Sequence, residues 1–238
     1  MGEYEMVFDE AMAQNAAVQY CDDQGDEQGL IQSFVQVCNF LYDNQDRLSW
    51  RSRTNIPSVQ TDEGLRLLAK KYYSAYRRSD FPIRAGTIPD DMVSIVMVEA
   101  FGYSKEASDR IKVEHQEAMV AENCVGALLE RYLDSVLRPN GWHWCCGSFV
   151  KAIDFIRRDQ NNKWLVLQIK NRDNSENSSS SAIRTGTTIQ KWFRSLSRTG
   201  RTNWDNVPPL MQGFNLSEQG FIDFARAYLA KEKAKMTI

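Results

Sequence analysis

The sequence predicts a mixed α/β protein, in which a central mixed sheet is flanked by helices and preceded by a helical N-terminal part. Apolar residues recur at helical spacing through much of the first 120 residues. Short apolar runs bounded by turn residues follow between residues 142 and 169, and helical patterns return toward residue 233. Helices, then strands, then helices are the order expected of a mixed α/β core.

The N-terminal part, residues 1–120, is predicted to be helical and to pack on a core formed by residues 121–238. The first forty-odd residues are predicted to form acidic helix, because Ile31, Phe34 and Val35 begin an apolar series at helical spacing. Thr61 is a possible N-cap for the next helix. The helices predicted after it cover Glu63–Arg78, Asp90–Ala100 and Ala107–Val120.

The core begins with a long predicted helix that ends at a strong stop signal, Pro139-Asn140-Gly141. A meander of strands follows, with a polar hairpin turn at residues 158–162. The apolar run of residues 164–169 fits a central strand that is buried on both faces. The core elements predicted are a helix over Glu122–Leu137, strands over Trp142–Cys146, Phe149–Ile156 and Trp164–Ile169, and helices over Thr187–Leu196 and Ser217–Lys233.

Composition favours a globular protein with reduced thiols. The chain has 238 residues, enough for one good core and a small second lobe, and 25% of its residues are charged. We expect no membrane association, because no apolar run approaches the ~20 residues that cross a bilayer, and we find no secretory signal. Five scattered cysteines without a C-x-x-C pair indicate free thiols in the cytoplasm.

The charge is distributed unevenly, although the net charge is only −2. Residues 1–46 contain ten acidic residues and no lysine or arginine, whereas residues 151–201 contain eleven basic residues and four acidic ones. A basic zone on an otherwise acidic chain is typical of phosphate binding, although a solvated basic face would produce the same pattern. The basic cluster of residues 47–53, with Arg77 and Arg78, fits either a second DNA clamp or a solvated face.

Polar residues interrupt the predicted meander where a buried sheet disfavours them. Asp154 lies in one predicted strand, and Gln168 and Lys170 lie in the next, two positions apart and therefore on one face. If the strands pair across the turn at residues 158–162, Asp154 comes close to both. Glu130, or less favourably Glu122, offers a further carboxylate from the helix upstream.

This set of side chains suits the hydrolysis of phosphodiesters with Mg²⁺. Carboxylate and amide oxygens are the hard ligands that Mg²⁺ prefers, which predicts a metal site of Asp154, Gln168 and Glu130. A bound Mg²⁺ neutralises developing charge and lowers the pKa of a bound water. The ammonium of Lys170 can orient that water or stabilise the negative charge on phosphorus.

The pattern Asp154…Gln168-Ile169-Lys170 resembles the signature of the PD-(D/E)XK nuclease superfamily, with Ile153 where the signature has Pro and Gln168 in place of an acid. The upstream Gly126-x-x-x-Glu130 helix is similar to the first core helix of that superfamily. The resemblance implies a restriction-endonuclease-like core and a catalytic set of Asp154, Gln168, Lys170 and Glu130.

The segment from Lys170 to Arg184, followed by Lys191-Trp192-Phe193-Arg194, is similar to type II restriction endonucleases of the SinI type. That resemblance implies a homodimer that cuts double-stranded DNA at a short palindrome, G-G-W-C-C, and leaves 5′-phosphates. It also implies a cognate DNA methyltransferase that acts on the same site without direct contact.

Residues 171–181 are predicted to form the element that reads the DNA groove, although Ser/Asn-rich segments are more often linkers. Arginine and asparagine are the residue types that bond guanine and adenine edges in two places. The predicted base-reading residues are Arg172, Asn174, Asn177, Ser178 and Arg184, and the predicted phosphate contacts are Lys191, Arg194, Arg198 and Arg201.

Three alternative functions stay open on the sequence alone. A nuclease of the same fold could serve transposition or repair, and a sequence-specific DNA-binding protein could lack catalysis. A thiol hydrolase built on Cys145 or Cys146 with His143 is disfavoured, because neighbours on one strand alternate faces and no orienting acid is evident.

Overall fold

The structure is a computed structural model that describes residues 7–21, 27–51, 54–78, 88–173 and 188–235. These residues form six α-helices and four strands, which confirms the mixed α/β class. The helices are α1 (Glu10–Val18), α2 (Glu27–Asp43), α3 (Asp62–Arg77), α4 (Asp91–Phe101), α5 (Lys105–Leu137) and α6 (Glu218–Lys235). The strands are β1 (His143–Trp144), β2 (Phe155–Arg158), β3 (Trp164–Arg172) and β4 (Gln190–Ser195).

The chain divides into two units. Unit 1 comprises Met1–Arg78 with Glu130–Ile222, and unit 2 comprises Ser79–Leu129 with Asp223–Ile238. The predicted boundary at residue 120 stays a prediction. Among the described residues, none of the helices combines the length and the apolar character that a bilayer span requires.

The helices α1, α2 and α3 form a layer in unit 1 and bury its aromatic centre. Phe34 of α2 packs against Tyr72 and Tyr73 of α3, with ring centroids 5.5 and 6.2 Å apart. All three side chains are buried. The predicted cap of α3 is present, since the hydroxyl of Thr61 accepts a hydrogen bond from the backbone N–H of Gly64 at 3.2 Å.

The sheet has the strand order β1-β2-β3-β4. The first three strands are antiparallel, and β3 and β4 run parallel, so the predicted mixed sheet is confirmed. The predicted turn closes the β2–β3 hairpin, because Asp159 donates its backbone N–H to the carbonyl of Lys163 at 2.9 Å. β3 is the central strand, and its residues Val166–Ile169 are all buried, as predicted.

Two predicted strands are shorter than expected. The strand predicted over Trp142–Cys146 is reduced to β1. The strand predicted over Phe149–Ile156 begins only at Phe155, because the preceding residues turn away to bond the segment after α2. There Lys151 donates its backbone N–H to the carbonyl of Arg47 at 2.8 Å, and Ala152 adopts a left-handed φ of 57°.

The helix predicted over Thr187–Leu196 is wrong, because its described part contains strand β4. Trp192 of β4 lies opposite Ile169 of β3, and both are buried. Tertiary pairing with the central strand therefore overrides the helical pattern, and the aromatic pair Trp192-Phe193 suits a strand. The helices predicted over Ala107–Val120 and Glu122–Leu137 are one continuous helix, α5.

Candidate active site

Strand β3 supplies two of the predicted catalytic residues. Gln168 is buried and Lys170 is half-buried, and their spacing of two places them on one face of the sheet. On the neighbouring strand β4, Lys191 lies opposite Gln168 in the parallel register. Lys191 is a predicted DNA contact, and this register places it beside Gln168.

Asp154 is fixed to β3 at two points, one on either side of Gln168. Its backbone N–H donates to the carbonyl of Leu167 at 2.8 Å, and its Oδ2 accepts the backbone N–H of Ile169 at 2.6 Å. The regular pairing of β2 with β3 starts one residue later, at Phe155. At Asp154 the side-chain carboxylate therefore takes the place of a backbone carbonyl as the acceptor for the Ile169 N–H. Two anchors determine the position of this carboxyl beside Gln168.

Glu130 reaches the same region from the last turns of α5. Its Oε2 accepts a hydrogen bond from the indole Nε1 of Trp144 at 3.0 Å. Trp144 lies in β1 and pairs with Phe155, the residue after Asp154. Glu122, the alternative carboxylate, is exposed and belongs to unit 2.

Burial raises the pKa of both carboxyls, and the charge of Lys170 lowers both. Burial and then the charge of Asp154 raise the pKa of Glu130, while the bond from Trp144 and the charge of Lys170 lower it. Burial also raises the pKa of Asp154, which the Ile169 N–H and Lys170 partly offset. The net pKa of each carboxyl is raised, so in the free protein these carboxylates are costly to ionise together.

The donor set fits a hard divalent cation. Among the described residues, no group of three or more His, Cys, Asp or Glu side chains is arranged to hold a metal ion. The cluster instead offers two carboxylates, from Glu130 and Asp154, and the amide oxygen of Gln168. A dication would offset the cost of ionising two buried carboxyls, whose pKa values are raised mainly by burial, and oxygen donors of this kind are those that Mg²⁺ accepts.

The predicted DNA-binding residues have different surroundings. Arg172, Arg198 and Arg201 are exposed, and the last two flank a turn in which Leu196 donates its N–H to the carbonyl of Arg201 at 2.9 Å. Asn174, Asn177, Ser178 and Arg184 lie outside the described residues. The base-reading role of the segment they belong to stays a prediction.

Arg194 has partners inside unit 1. Its Nη1 bonds Oε1 of Glu218 at 2.5 Å, and its Nε donates to Oδ1 of Asn171 at 2.9 Å. Its guanidinium also lies over the ring of Phe221, 5.3 Å from the centroid. These contacts favour a structural role for Arg194 over the predicted phosphate contact.

Sequence reasoning did not single out Trp144 or Arg131, which both act on Glu130. Trp144 donates the hydrogen bond to its carboxylate, and the Arg131 charge lowers its pKa. The guanidinium of Arg131 is held by the carbonyls of Tyr76 and Arg78 at 2.9 and 2.8 Å. No sequence signal marks either residue, because both act from elements that meet Glu130 only after folding.

The thiol hydrolase alternative is set aside by the surroundings of its residues. Cys145 and Cys146 are both buried, and burial raises the pKa of the Cys145 thiol well above its usual range. A buried thiol near carboxylates does not form the thiolate that nucleophilic catalysis requires. His143 has its Nδ1 bonded to the hydroxyl of Ser33 at 3.2 Å, and burial lowers its pKa to about 4.

Comparison with known proteins identifies the family. The profile of the SinI restriction endonuclease family matches residues 11–231. The chain is 41% identical over 231 residues to the type II restriction enzyme SinI of Salmonella infantis, which covers 96% of this chain and 99% of the relative. The chain belongs to the SinI restriction endonuclease family.

A second relative supports the same assignment. The type II restriction enzyme Eco47I of Escherichia coli is 48% identical over 182 residues, which covers 76% of this chain and 79% of the relative. The protein is therefore a type II site-specific deoxyribonuclease, and the mixed sheet with flanking helices is consistent with a restriction-endonuclease-like fold. The alternatives of a transposition or repair nuclease and of a non-catalytic DNA-binding protein do not agree with these matches.

Proposed function

We propose that this enzyme hydrolyses phosphodiester bonds of double-stranded DNA with Mg²⁺ at the cluster of Glu130, Asp154, Gln168 and Lys170. The observation that carries the proposal is the convergence of two carboxyls at one place: Asp154 bonds the β3 backbone on both sides of Gln168, and Glu130 bonds Trp144, which pairs with the residue after Asp154. Burial of two like charges is costly, and such groups are concentrated at functional sites. The family membership supplies the substrate class, double-stranded DNA.

Each side chain has a distinct proposed role. Asp154, Glu130 and the amide oxygen of Gln168 would hold Mg²⁺, which when bound neutralises charge on the phosphate and lowers the pKa of a water. The backbone N–H of Ile169 and the indole of Trp144 keep the two carboxylates oriented. The ammonium of Lys170 donates hydrogen bonds to the attacking water or to the phosphoryl oxygens, where negative charge increases in the transition state.

The proposed substrate is a short palindrome, G-G-W-C-C in the SinI-type resemblance, and the proposed products carry 5′-phosphates. Two subunits would each cut one strand, because a palindrome mirrors a two-fold symmetric dimer. The proposed location is the cytoplasm, where thiols stay reduced and where a cognate methyltransferase would protect the host DNA.

The DNA backbone would be held by the exposed residues Arg198 and Arg201, together with Lys191, which lies opposite Gln168. Two other arginines of the basic zone have carboxylate partners. They are Arg194, paired with Glu218, and Arg158, whose Nη2 lies 2.8 Å from Oδ2 of Asp43. Base reading would fall to residues 171–184.

A second basic cluster, formed by Arg51 and Lys71, is the better candidate for the second DNA clamp. The ammonium of Lys71 lies 4.7 Å from the ring centroid of Trp50, and burial together with the charge of Arg51 lowers its pKa. Within the described ranges, no carboxylate forms an ion pair with these two cations. Like charges brought together in this way favour a phosphate ligand.

The arginines at the end of α3 differ from this cluster because their polar groups have protein partners. The guanidinium of Arg77 donates to the carbonyl of Tyr20 and lies over the ring of Tyr73. The carbonyl of Arg78 accepts from Arg131. We therefore assign the clamp to the Arg51–Lys71 cluster alone.

Digestion of a plasmid of known sequence, with the ends mapped, tests the proposed function. Discrete fragments that require Mg²⁺, share one palindrome and carry 5′-phosphates are expected. Asp154→Ala should eliminate cutting and still retard the same DNA in a gel. Cleavage that persists in excess EDTA, or normal cutting by Asp154→Ala, would contradict the assignment.

A further inference from the structure

A tight turn follows strand β4 over residues 196–201, and we call it the arginine turn because it carries Arg198 and Arg201. Leu196 donates its backbone N–H to the carbonyl of Arg201 at 2.9 Å, and Gly200 donates its own to the carbonyl of Leu196 at 2.8 Å. Gly200 has a φ of 67°, in the left-handed region that favours glycine. The turn is therefore closed by its own backbone, and both arginine side chains are exposed.

Asp173, the residue directly after strand β3, joins the arginine turn to that strand. Its Oδ1 accepts the backbone N–H of Ser197 at 2.8 Å, and its own backbone N–H donates to the carbonyl of Ser195 at 3.2 Å. The hydroxyl of Ser195 donates to the carbonyl of Asn171 at 3.0 Å. Three hydrogen bonds therefore connect the start of the turn to the end of β3.

An acidic residue at this position is unexpected on electrostatic grounds. Residues 151–201 contain eleven basic residues and four acidic ones, and Asp173 bonds the residue that precedes Arg198. A carboxylate close to a bound phosphate repels it, so the charge of Asp173 alone disfavours DNA. A carboxylate is also a stronger acceptor for a backbone N–H than a neutral group. The bond to Ser197 therefore gives a physical reason for an acid at this place.

We propose that Asp173 is a positioning residue, which holds the arginine turn against β3 so that Arg198 and Arg201 meet the DNA backbone in a fixed register with the catalytic cluster. The inference rests on the proposed function, in which these two arginines hold DNA and β3 carries Gln168 and Lys170. Lys170 precedes Asp173 by about 10 Å along an extended strand. One strand thus carries catalytic side chains and also holds the turn that contacts phosphate.

Filter binding of a DNA duplex to the full chain, in excess EDTA and at several salt concentrations, tests this inference. Asp173→Asn keeps the acceptor oxygen and removes the charge, whereas Asp173→Ala removes both. By charge alone, both variants should bind DNA more tightly than wild type. If Asp173 positions the turn, Asp173→Asn should bind at least as tightly as wild type. Asp173→Ala should bind about tenfold more weakly and lower the slope of log affinity against log salt by about 1.

A double-mutant cycle distinguishes positioning from a general loss of structure. Arg198→Ala should weaken binding in the wild-type background and add little to Asp173→Ala, because the turn is already released there. Lys71→Ala is the control, and it should weaken binding by the same factor in both backgrounds. Circular dichroism establishes that each variant is folded, and Asp173→Leu, which also lacks an acceptor, replaces Asp173→Ala if that variant does not fold.

Two results would overturn the inference: Asp173→Ala that binds as tightly as Asp173→Asn, or full additivity of Asp173→Ala with Arg198→Ala. Plasmid cleavage by the wild type separates this outcome from the proposed function. The expected binding pattern in a protein that cuts no DNA would keep the positioning role and reject the catalytic function. Site-specific cutting by a protein whose two Asp173 variants bind DNA alike would do the reverse.

Discussion

Two polar clusters on the same sheet differ in how their charges are balanced. On β4, the guanidinium of Arg194 lies between Asn171 and Glu218, and the second oxygen of Glu218 accepts the indole N–H of Trp204 at 2.6 Å. Every charge in this cluster has an opposite charge or a hydrogen bond. At the other cluster, Glu130 and Asp154 have raised pKa values that Lys170 offsets only in part.

The difference distinguishes a structural ion pair from a reactive site. The Arg194–Glu218 cluster is satisfied by its own residues, so it connects β4 to the start of α6 and needs no ligand. The Glu130–Asp154 cluster combines two carboxyls with one lysine in a partly buried place, and in the proposed function a bound cation would balance its charge. Replacing residues in the two clusters should therefore change different properties of the enzyme.

The largest effect is expected from Asp154→Asn. The change removes the negative charge and keeps the size of the side chain, so cleavage should fall about 10³-fold or more while DNA binding persists. Glu218→Gln is the matched change in the other cluster and should leave the cleavage rate within about twofold at temperatures where the protein is folded. Single-turnover cleavage of a duplex measures both, and equal losses in the two variants would remove the distinction.

Lys170→Met should lower the cleavage rate about 10²-fold, because the ammonium assists only the charged transition state. The ammonium also lowers the pKa of both carboxyls. The acid limb of the pH–rate profile should therefore move to higher pH in this variant. Lys170→Arg should recover part of the rate and return the acid limb to its wild-type pH. An acid limb that does not move in Lys170→Met would argue against contact between Lys170 and the carboxyls.

Glu218→Ala should destabilise the protein by about 2 kcal/mol, since it leaves the half-buried guanidinium of Arg194 without its carboxylate. The pair is not fully buried, so the loss should stay below that of a fully buried pair. Urea denaturation gives the free energy of unfolding. A loss below about 0.5 kcal/mol, the range of ordinary surface substitutions, would reveal a solvated pair.

The free enzyme should lose stability as the pH rises above the ordinary carboxyl range near about 4. The pKa values of Glu130 and Asp154 are raised in the folded protein, so the folded state binds more protons than the unfolded state in that window. The contribution of these two carboxyls to the stability of the folded protein is present at low pH, and it is lost as the pH rises through their pKa values in the folded state. Thermal unfolding without divalent cations should show this decline, and Glu130→Gln should flatten it. An identical pH dependence in the variant would contradict the raised pKa.

The smallest effect is expected from the basic cluster. Lys71→Ala should weaken binding to all DNA sequences alike and lower the slope of log affinity against log salt by about 1. Arg77→Ala is the control, because its guanidinium is bonded to a backbone carbonyl. Filter binding at several salt concentrations measures both slopes, and the reverse order of effects would assign the clamp to the end of α3.

Local patterns in the sequence predicted the elements whose structure depends on residues close together in the chain. The cap at Thr61, the hairpin turn at residues 158–162 and the buried run of β3 all depend on neighbours in the chain, and all are confirmed. The convergence of Asp154 with Gln168 follows from the same hairpin, since pairing across a short turn determines which residues lie opposite.

The sequence could not predict features that depend on distant partners. Strand β4 has a helical pattern and becomes a strand because the edge of β3 is available to it. The strand expected from Phe149 is lost because Lys151 bonds Arg47, about a hundred positions away. The partners of two arginines in the basic zone could not be predicted for the same reason, since Asp43 and Glu218 pair with them only in the folded chain.

A titration with Mn²⁺ tests the central claim most directly. Mn²⁺ takes the same oxygen ligands as Mg²⁺, and electron paramagnetic resonance follows its binding. Wild type and Glu218→Gln should bind the ion saturably and release it to excess Mg²⁺. Affinity should fall at least about tenfold in Glu130→Gln, and binding should disappear in Asp154→Asn. Equal binding by all four proteins would show that the cluster of Glu130 and Asp154 is not the metal site.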